Sequence, residues 1–90
     1  MIFEKDSKLQ IIDQFAFSSS NLISIKIPSN VTIIGDYSFT NCYNLFHIEF
    51  DDDSKLQKIG KCSFAINSIE SIKIPSQVTT IEEEAFKSCK

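Results

Sequence analysis

The side chains that could take part in chemistry are few and widely spaced. The 90-residue sequence holds one histidine, His47, and three cysteines. No second histidine or cysteine pair accompanies His47, and Cys42 and Cys89 stand 47 positions apart. A zinc site needs clustered ligands, and nucleophilic catalysis needs a nucleophile, a base and oxyanion donors in one pocket. We therefore predict no enzyme activity, no catalytic residue, no metal site and no cofactor.

Two short acidic runs and one asparagine offer further chemistry. Neither 51–53 (Asp-Asp-Asp) nor 82–84 (Glu-Glu-Glu) has the alternating oxygen ligands of a dedicated calcium loop, so both are interpreted as solvated turns. Asn30-Val31-Thr32 is a formal glycosylation sequon. It matters only in a secreted chain, so whether Asn30 is glycosylated stays open.

The amino-acid composition limits the class of protein to which this chain can belong. Hydrophobic residues are 42% and charged residues 23% of a chain long enough for about one domain, which is typical of a folded globular protein. A net charge of −3 without any arginine argues against nucleic acid as a partner. The sequence has neither an apolar run of the roughly 18 residues that span a membrane nor the apolar core of a signal peptide. It therefore leaves the compartment unknown.

The histidine, cysteine and acidic residues named above all lie within sequence repeats. Residues 24–29 and 71–76 have the same sequence, SIKIPS. A shorter period of 22 to 25 residues lies inside this duplication, within the window of leucine-rich repeats. It is carried by two columns of equivalent residues, Phe17, Phe39, Phe64 and Phe86, and Ile12, Ile34, Ile59 and Ile81.

Each repeat contains one alternating segment that favours a short strand. Leu22-x-x-Ile25-x-Ile27-x-x-Asn30 fits the pattern L-x-x-L-x-L-x-x-N, and the pattern recurs from Leu45 and from Ile69. Alternation places Ile25 and Ile27 on one face of the strand. We expect three full strands, over 24–27, 47–50 and 71–74, that stack in parallel.

These features predict a leucine-rich repeat solenoid with little α-helix. Short parallel strands form one face, and short extended segments and turns form the other. We divide the single domain of residues 1–90 into about four repeats, 1–25, 26–48, 49–72 and 73–90, with no polar cap at either end. An uncovered end favours self-association.

Further columns follow from the same period. The phenylalanine rings are expected to stack on one another inside the coil. Cys42 and Cys89 would lie about 10 Å apart, too far for a disulfide, so all three cysteines are expected to be reduced. Polar side chains at a recurring turn are expected to bond the backbone of the adjacent turn, namely Asp6, Asn30, Asp53 and Gln77.

One sequence motif of the repeat is specific to a class of leucine-rich repeats. Ile25-x-Ile27-Pro28-x-x-Val31-Thr32-x-Ile34-Gly35-x-x-x-Phe39-x-x-Cys42 resembles the BspA-like class of leucine-rich repeats, and residues 72–89 match it again. Ser38 and Ser63 replace the usual alanine, and Glu82 replaces the usual glycine. The resemblance implies a non-enzymatic binding role. Proteins of this class occur in bacteria and mucosal protozoan parasites, are often surface-exposed and are implicated in adhesion to host proteins.

The outward strand face is the expected binding surface for a protein partner. Ile23 and Phe46 are the best candidates for a contact patch, whereas single exposed apolar residues are also normal. The alternating charges of Lys26, Glu49 and Lys73 are interpreted mainly as a sheet-stabilising ladder. The complete face, read in columns across three strands, comprises Ile23, Phe46 and Glu70, then Ser24, His47 and Ser71, then Lys26, Glu49 and Lys73. The alternative function is a structural unit that assembles with itself through its ends.

Overall fold

The described chain forms six short strands, and all neighbouring strands pair in parallel. The computed structural model describes residues 8–87, so Asp6 and Cys89 lie outside the described residues. A four-stranded sheet has the order β1-β3-β5-β6, and a two-stranded sheet pairs β2 with β4. Within residues 8–87 there is no helix. The strands are β1 (Ile11–Ile12), β2 (Ser24–Ile27), β3 (Ile33–Ile34), β4 (His47–Phe50), β5 (Lys58–Ile59) and β6 (Thr80–Ile81).

The β2–β4 sheet follows directly from alternation in the sequence. Ile25 and Ile27 point into the core while Lys26 is exposed, as expected for side chains that alternate across a strand. In the neighbouring strand Ile48 is buried and pairs with Ile25. Pro28, which has no amide hydrogen to donate to a ladder, comes directly after β2. The predicted parallel pairing of these two strands is confirmed.

The second sheet is built from one isoleucine per repeat. Ile12, Ile34, Ile59 and Ile81 lie in register on neighbouring strands, which confirms the predicted isoleucine column. Ile34 and Ile59 are fully buried, and Ile81 is 50% exposed. The short extended segments expected opposite the strand face therefore form a continuous parallel sheet.

The phenylalanine column is a stack of parallel rings. Ring centroids are 5.2 Å apart for Phe17 and Phe39, 5.1 Å for Phe39 and Phe64, and 5.4 Å for Phe64 and Phe86. The ring planes agree within 9°. Since Phe39 and Phe64 are completely buried, the stack forms part of the core, as the sequence predicts.

Tight turns around this stack are joined by main-chain hydrogen bonds to the next turn. The amides of Phe15, Phe17 and Ser19 each donate to the carbonyl 21 positions further along, those of Asp36, Ser38 and Thr40. The next two turns repeat the arrangement, at 37, 39 and 41 and at 62, 64 and 66. The residues two before and two after the phenylalanine adopt φ of 52–61°, although none is glycine: Phe15, Ser19, Tyr37, Asn41, Cys62, Ile66 and Glu84. Such a conformation persists where surrounding contacts over-determine it, as these bonds between turns do.

The third strand of the strand face is absent. We expected a strand over 71–74, but this segment is not part of any sheet, and Ile72 and Ile74 are only partly buried. The sequence SIKIPS is identical in 24–29 and 71–76, so local propensity does not explain the difference. Leu45 and Leu56 are eleven positions apart, whereas Leu22 and Val31 are nine apart. We attribute the break to the wider turn that these two extra residues form after β4.

Candidate interaction surface

Two apolar side chains stand next to each other at the start of the strand face. Ile23 is 59% exposed and Phe46 is 56% exposed. The Phe46 amide donates to the Ile23 carbonyl at 3.1 Å, which holds the two residues side by side directly before β2 and β4. We call Ile23 and Phe46 the apolar patch. The structure places Ser24 and His47 beside each other in the next paired position.

A charged cluster continues along the same face. The Lys26 ammonium lies 3.6 Å from a Glu49 carboxylate oxygen and 3.1 Å from an Asp51 oxygen. His47 Nε2 is 3.5 Å from the other Glu49 oxygen. The hydrogen bond to Asp51, followed by the charges of Asp51 and Glu49, raises the pKa of Lys26. The charge ladder between Lys26 and Glu49 is confirmed, whereas Asp51 was missed because it lies beyond the strand pattern.

The remaining predicted members of the face are separated from it. Glu70, Ser71 and Lys73 are exposed, but they lie on the segment that does not pair with β4. They therefore do not continue the three columns, and the expectation that Lys73 extends the charge ladder is wrong. Within residues 8–87 the Lys73 ammonium has no ion pair.

A cleft separates β4 from this segment. Its volume is about 640 Å³, and one wall is β4 with the turn that follows it. Opposite lies the unpaired segment from Ser71 to Ser76. The repeat pattern did not reveal the cleft, because it aligns equivalent residues but does not give the packing of the wider turn after β4. We use the name edge cleft for this feature; its lining residues are 47–52, Ser54 and 71–76.

The predicted polar turn column includes a contact between two repeats. Asn30 Oδ1 accepts a hydrogen bond from the Lys55 ammonium at 3.2 Å, and Asp53 and Gln77 are exposed. The role assigned to this column stays a prediction. A threonine column also bonds between turns, in which Thr32 and Thr79 donate their hydroxyls to main-chain carbonyls of the preceding repeat.

The two described cysteines differ in burial. Cys42 is completely buried and its thiol donates to the Phe17 carbonyl at 3.1 Å, while Cys62 is half-buried. Both are free thiols in the structure. Asn67, three residues after its phenylalanine like Cys42, is also buried, and its side chain bonds the main chain of Phe64 and Ile69. No group of three or more potential metal ligands comes together within residues 8–87.

The sequence profile of the BspA-type leucine-rich repeat region matches residues 2–90, in six copies. This chain belongs to the BspA-type leucine-rich repeat family. The repeat phrase around Phe39, which suggested the resemblance, is thus confirmed as a family feature. Among the residues that the structure describes, no helix is long and apolar enough to cross a membrane.

A solved structure shows the same fold. The crystal structure of the pneumococcal vaccine antigen PcpA superimposes with a TM-score of 0.93 and 33% sequence identity over 96% of this chain. The chain spans 22% of the length of that antigen. No curated protein sequence matches the chain. The repeat fold is therefore shared with part of a larger bacterial protein.

Proposed function

We propose that this leucine-rich repeat chain is a non-enzymatic interaction module that binds a partner protein through its strand face. The apolar patch carries the proposal: Ile23 and Phe46 are adjacent, held by a main-chain bond, and each more than half exposed. Apolar and aromatic side chains that leave water on binding contribute most of the affinity at protein interfaces. The charged cluster of Lys26 and Glu49 beside the patch would orient the partner.

The likeness to a vaccine antigen supports a location at a cell surface. A vaccine antigen is accessible to antibodies, and PcpA shares the fold at 33% identity. We propose that this module is displayed outside the cell and takes part in adhesion to host or partner proteins. Display outside the cell and binding through the apolar patch are independent of each other, because an intracellular module could use the same patch.

The test compares two double variants in affinity capture. In the patch variant, Ile23→Ser is combined with Phe46→Ser. In the control, Ile11→Ser is combined with Ile66→Ser, which removes two exposed isoleucines outside the apolar patch. Serine suits position 66, because Ser19 has the same positive φ at the equivalent place.

The captured proteins are identified by mass spectrometry and their affinities are then measured. We expect a partner that the parent and the control variant bind equally and that the patch variant binds at least about tenfold more weakly. Circular dichroism checks that all three chains are folded. Equal binding by the patch variant and the control would contradict the proposal.

A second candidate, self-assembly, is favoured by one observation. Ile81 is 50% exposed, although its equivalents Ile34 and Ile59 are fully buried and each pairs with the strand that follows. Stacking a further turn on this end would cover Ile81, and a second copy of the chain could supply it. Light scattering over a dilution series should then show oligomers that Ile81→Lys dissociates and Ile23→Ser does not. A monomer at all concentrations would reject this candidate.

A further inference from the structure

We propose that the edge cleft binds an extended segment of a partner protein, which alternates apolar residues with a lysine and adds to β4 as a strand. This site is separate from the apolar patch, and the proposal does not depend on the function assigned to that patch. It rests on an open strand edge, an apolar floor and a cluster of carboxylates.

The open edge supplies main-chain hydrogen-bonding groups. β2 covers one edge of β4. On the other side, the bond from the Ser68 amide to the Leu45 carbonyl, at 3.0 Å, is the last main-chain contact before the cleft. Among the described residues, no main-chain hydrogen bond joins 69–76 to β4. Such an edge accepts an added strand from another chain, a recurring mode of peptide recognition.

The floor of the cleft suits the apolar half of an alternating segment. Ile48 and Phe50 come from β4, and Ile72 and Ile74 from the opposite wall. Phe50 is only half-buried, whereas Ile27, its partner in the β2–β4 register, is completely buried. The volume of about 640 Å³ falls within the roughly 300–1,000 Å³ of most ligand pockets. Every second side chain of an added strand would contact this floor.

Charge favours a lysine on the outward side of that strand. The β4 wall carries Glu49, Asp51 and Asp52. β2 shows how a lysine-bearing strand docks against this wall, since the Lys26 ammonium reaches Glu49 and Asp51. Within residues 8–87 the Asp52 carboxylate has no ion pair, so it is available to a second cation.

A segment of the chain itself could compete with a partner segment for the edge cleft. Residues 71–76, on the opposite wall of the cleft, have the same sequence as 24–29, which include β2. If this segment closed onto β4, the cleft would disappear and no peptide would bind. The experiment must therefore distinguish an added strand from closure by the chain itself.

The probe is the labelled hexapeptide SIKIPS, titrated with the whole chain and followed by fluorescence anisotropy. We expect saturable binding. The peptide SIEIPS, in which glutamate replaces lysine, should bind about tenfold more weakly because it meets carboxylates. A SIKIPS peptide N-methylated on its main-chain amides should not bind, since it cannot donate to a strand edge.

Matched variants locate the site. Asp52→Lys should weaken SIKIPS binding about tenfold. Asp53→Lys changes a neighbouring residue that is also exposed but does not line the cleft, so it should leave binding intact. The patch variant with Ile23→Ser and Phe46→Ser should also bind the peptide normally, which separates this proposal from the previous one. Equal losses at Asp52 and Asp53 would indicate diffuse charge attraction and overturn the proposal. So would absent binding, or nuclear Overhauser contacts that show 71–74 paired with β4 in the presence of the peptide.

Discussion

Ser38 and Ser63 occupy the same position in successive turns, and both bury their hydroxyls without a hydrogen-bond partner. The repeat phrase has alanine at this position, and Ala85 occupies it in the following turn. A buried hydroxyl that lacks a partner loses its bonds to water on folding and gains none in return. The two serines therefore lower the stability of a chain in which alanine would fit.

We predict that Ser38→Ala and Ser63→Ala each raise the free energy of unfolding by about 1 kcal/mol. Urea denaturation followed by circular dichroism measures the effect. Ser54→Ala is the control, because the Ser54 hydroxyl is buried but accepts a hydrogen bond from the Leu56 amide. It should destabilise the protein, and a gain in stability there would contradict the argument.

The phenylalanine stack should dominate stability. Phe39 is completely buried between the rings of Phe17 and Phe64. Phe39→Ala should lower the free energy of unfolding by about 3–5 kcal/mol, comparable with the total stability of a small domain. Phe46→Ala, at an exposed position, should change it by less than about 0.5 kcal/mol. Similar losses in thermal denaturation for the two variants would show that the stack is not the main source of stability.

Gly60 is required by a close approach of two turns. A Cβ atom at this position would lie 2.7 Å from the Asp36 amide nitrogen and 2.7 Å from the Ile34 carbonyl oxygen. Gly60→Ala must separate the turns and should cost about 1–3 kcal/mol. Glu82 stands at the equivalent position one turn later, so Glu82→Ala should have little effect. Chemical denaturation of both variants checks this, and equal stabilities would argue against the steric explanation.

The charged cluster leads to a prediction about the pKa of Lys26. The largest cause of the raised pKa of Lys26 is its hydrogen bond to Asp51, ahead of the charge of Glu49. Asp51→Asn should therefore lower the pKa of Lys26 more than Glu49→Gln does, which an NMR titration of the lysine side chain measures. A raised pKa means that the folded state holds this proton more tightly. The contribution to stability is therefore present at neutral pH and is lost only as alkaline pH passes through the raised pKa.

The repeating parts of the fold could be predicted from the sequence. Phe39 and Ile34 each have an equivalent in every repeat, and stacking equal turns places equal residues in columns. Their burial, and the parallel strands beside them, follow from that rule. Ile23 and Phe46 could be assigned to an exposed patch for the same reason, although their role in binding stays a prediction.

Departures from the repeat could not be predicted in the same way. The hexapeptide SIKIPS forms β2 in one repeat and stays unpaired in another, since a strand needs a neighbouring edge as well as a favourable sequence. The extra residues around Asp52 widen a turn, and the result depends on packing across the whole stack. Asn67 illustrates a further limit, because its amide takes the buried place of Cys42 by bonds that the pattern does not encode.

The arrangement of successive turns has a consequence for how such coils can join. In each described tight turn, amides of the earlier turn donate to carbonyls of the later one, as Phe17 does to Ser38. Beside the strands the bonds run the opposite way, as from the Gly60 amide to the Ile34 carbonyl, so each end of the coil presents both donors and acceptors. The direction of the coil lies in its parallel strands. A neighbour that continues them in parallel must stack head to tail, because two like ends related by a two-fold axis would bring the strands together antiparallel. A head-to-tail contact that does not close into a ring produces a filament, so any growth through these ends would be linear and polar.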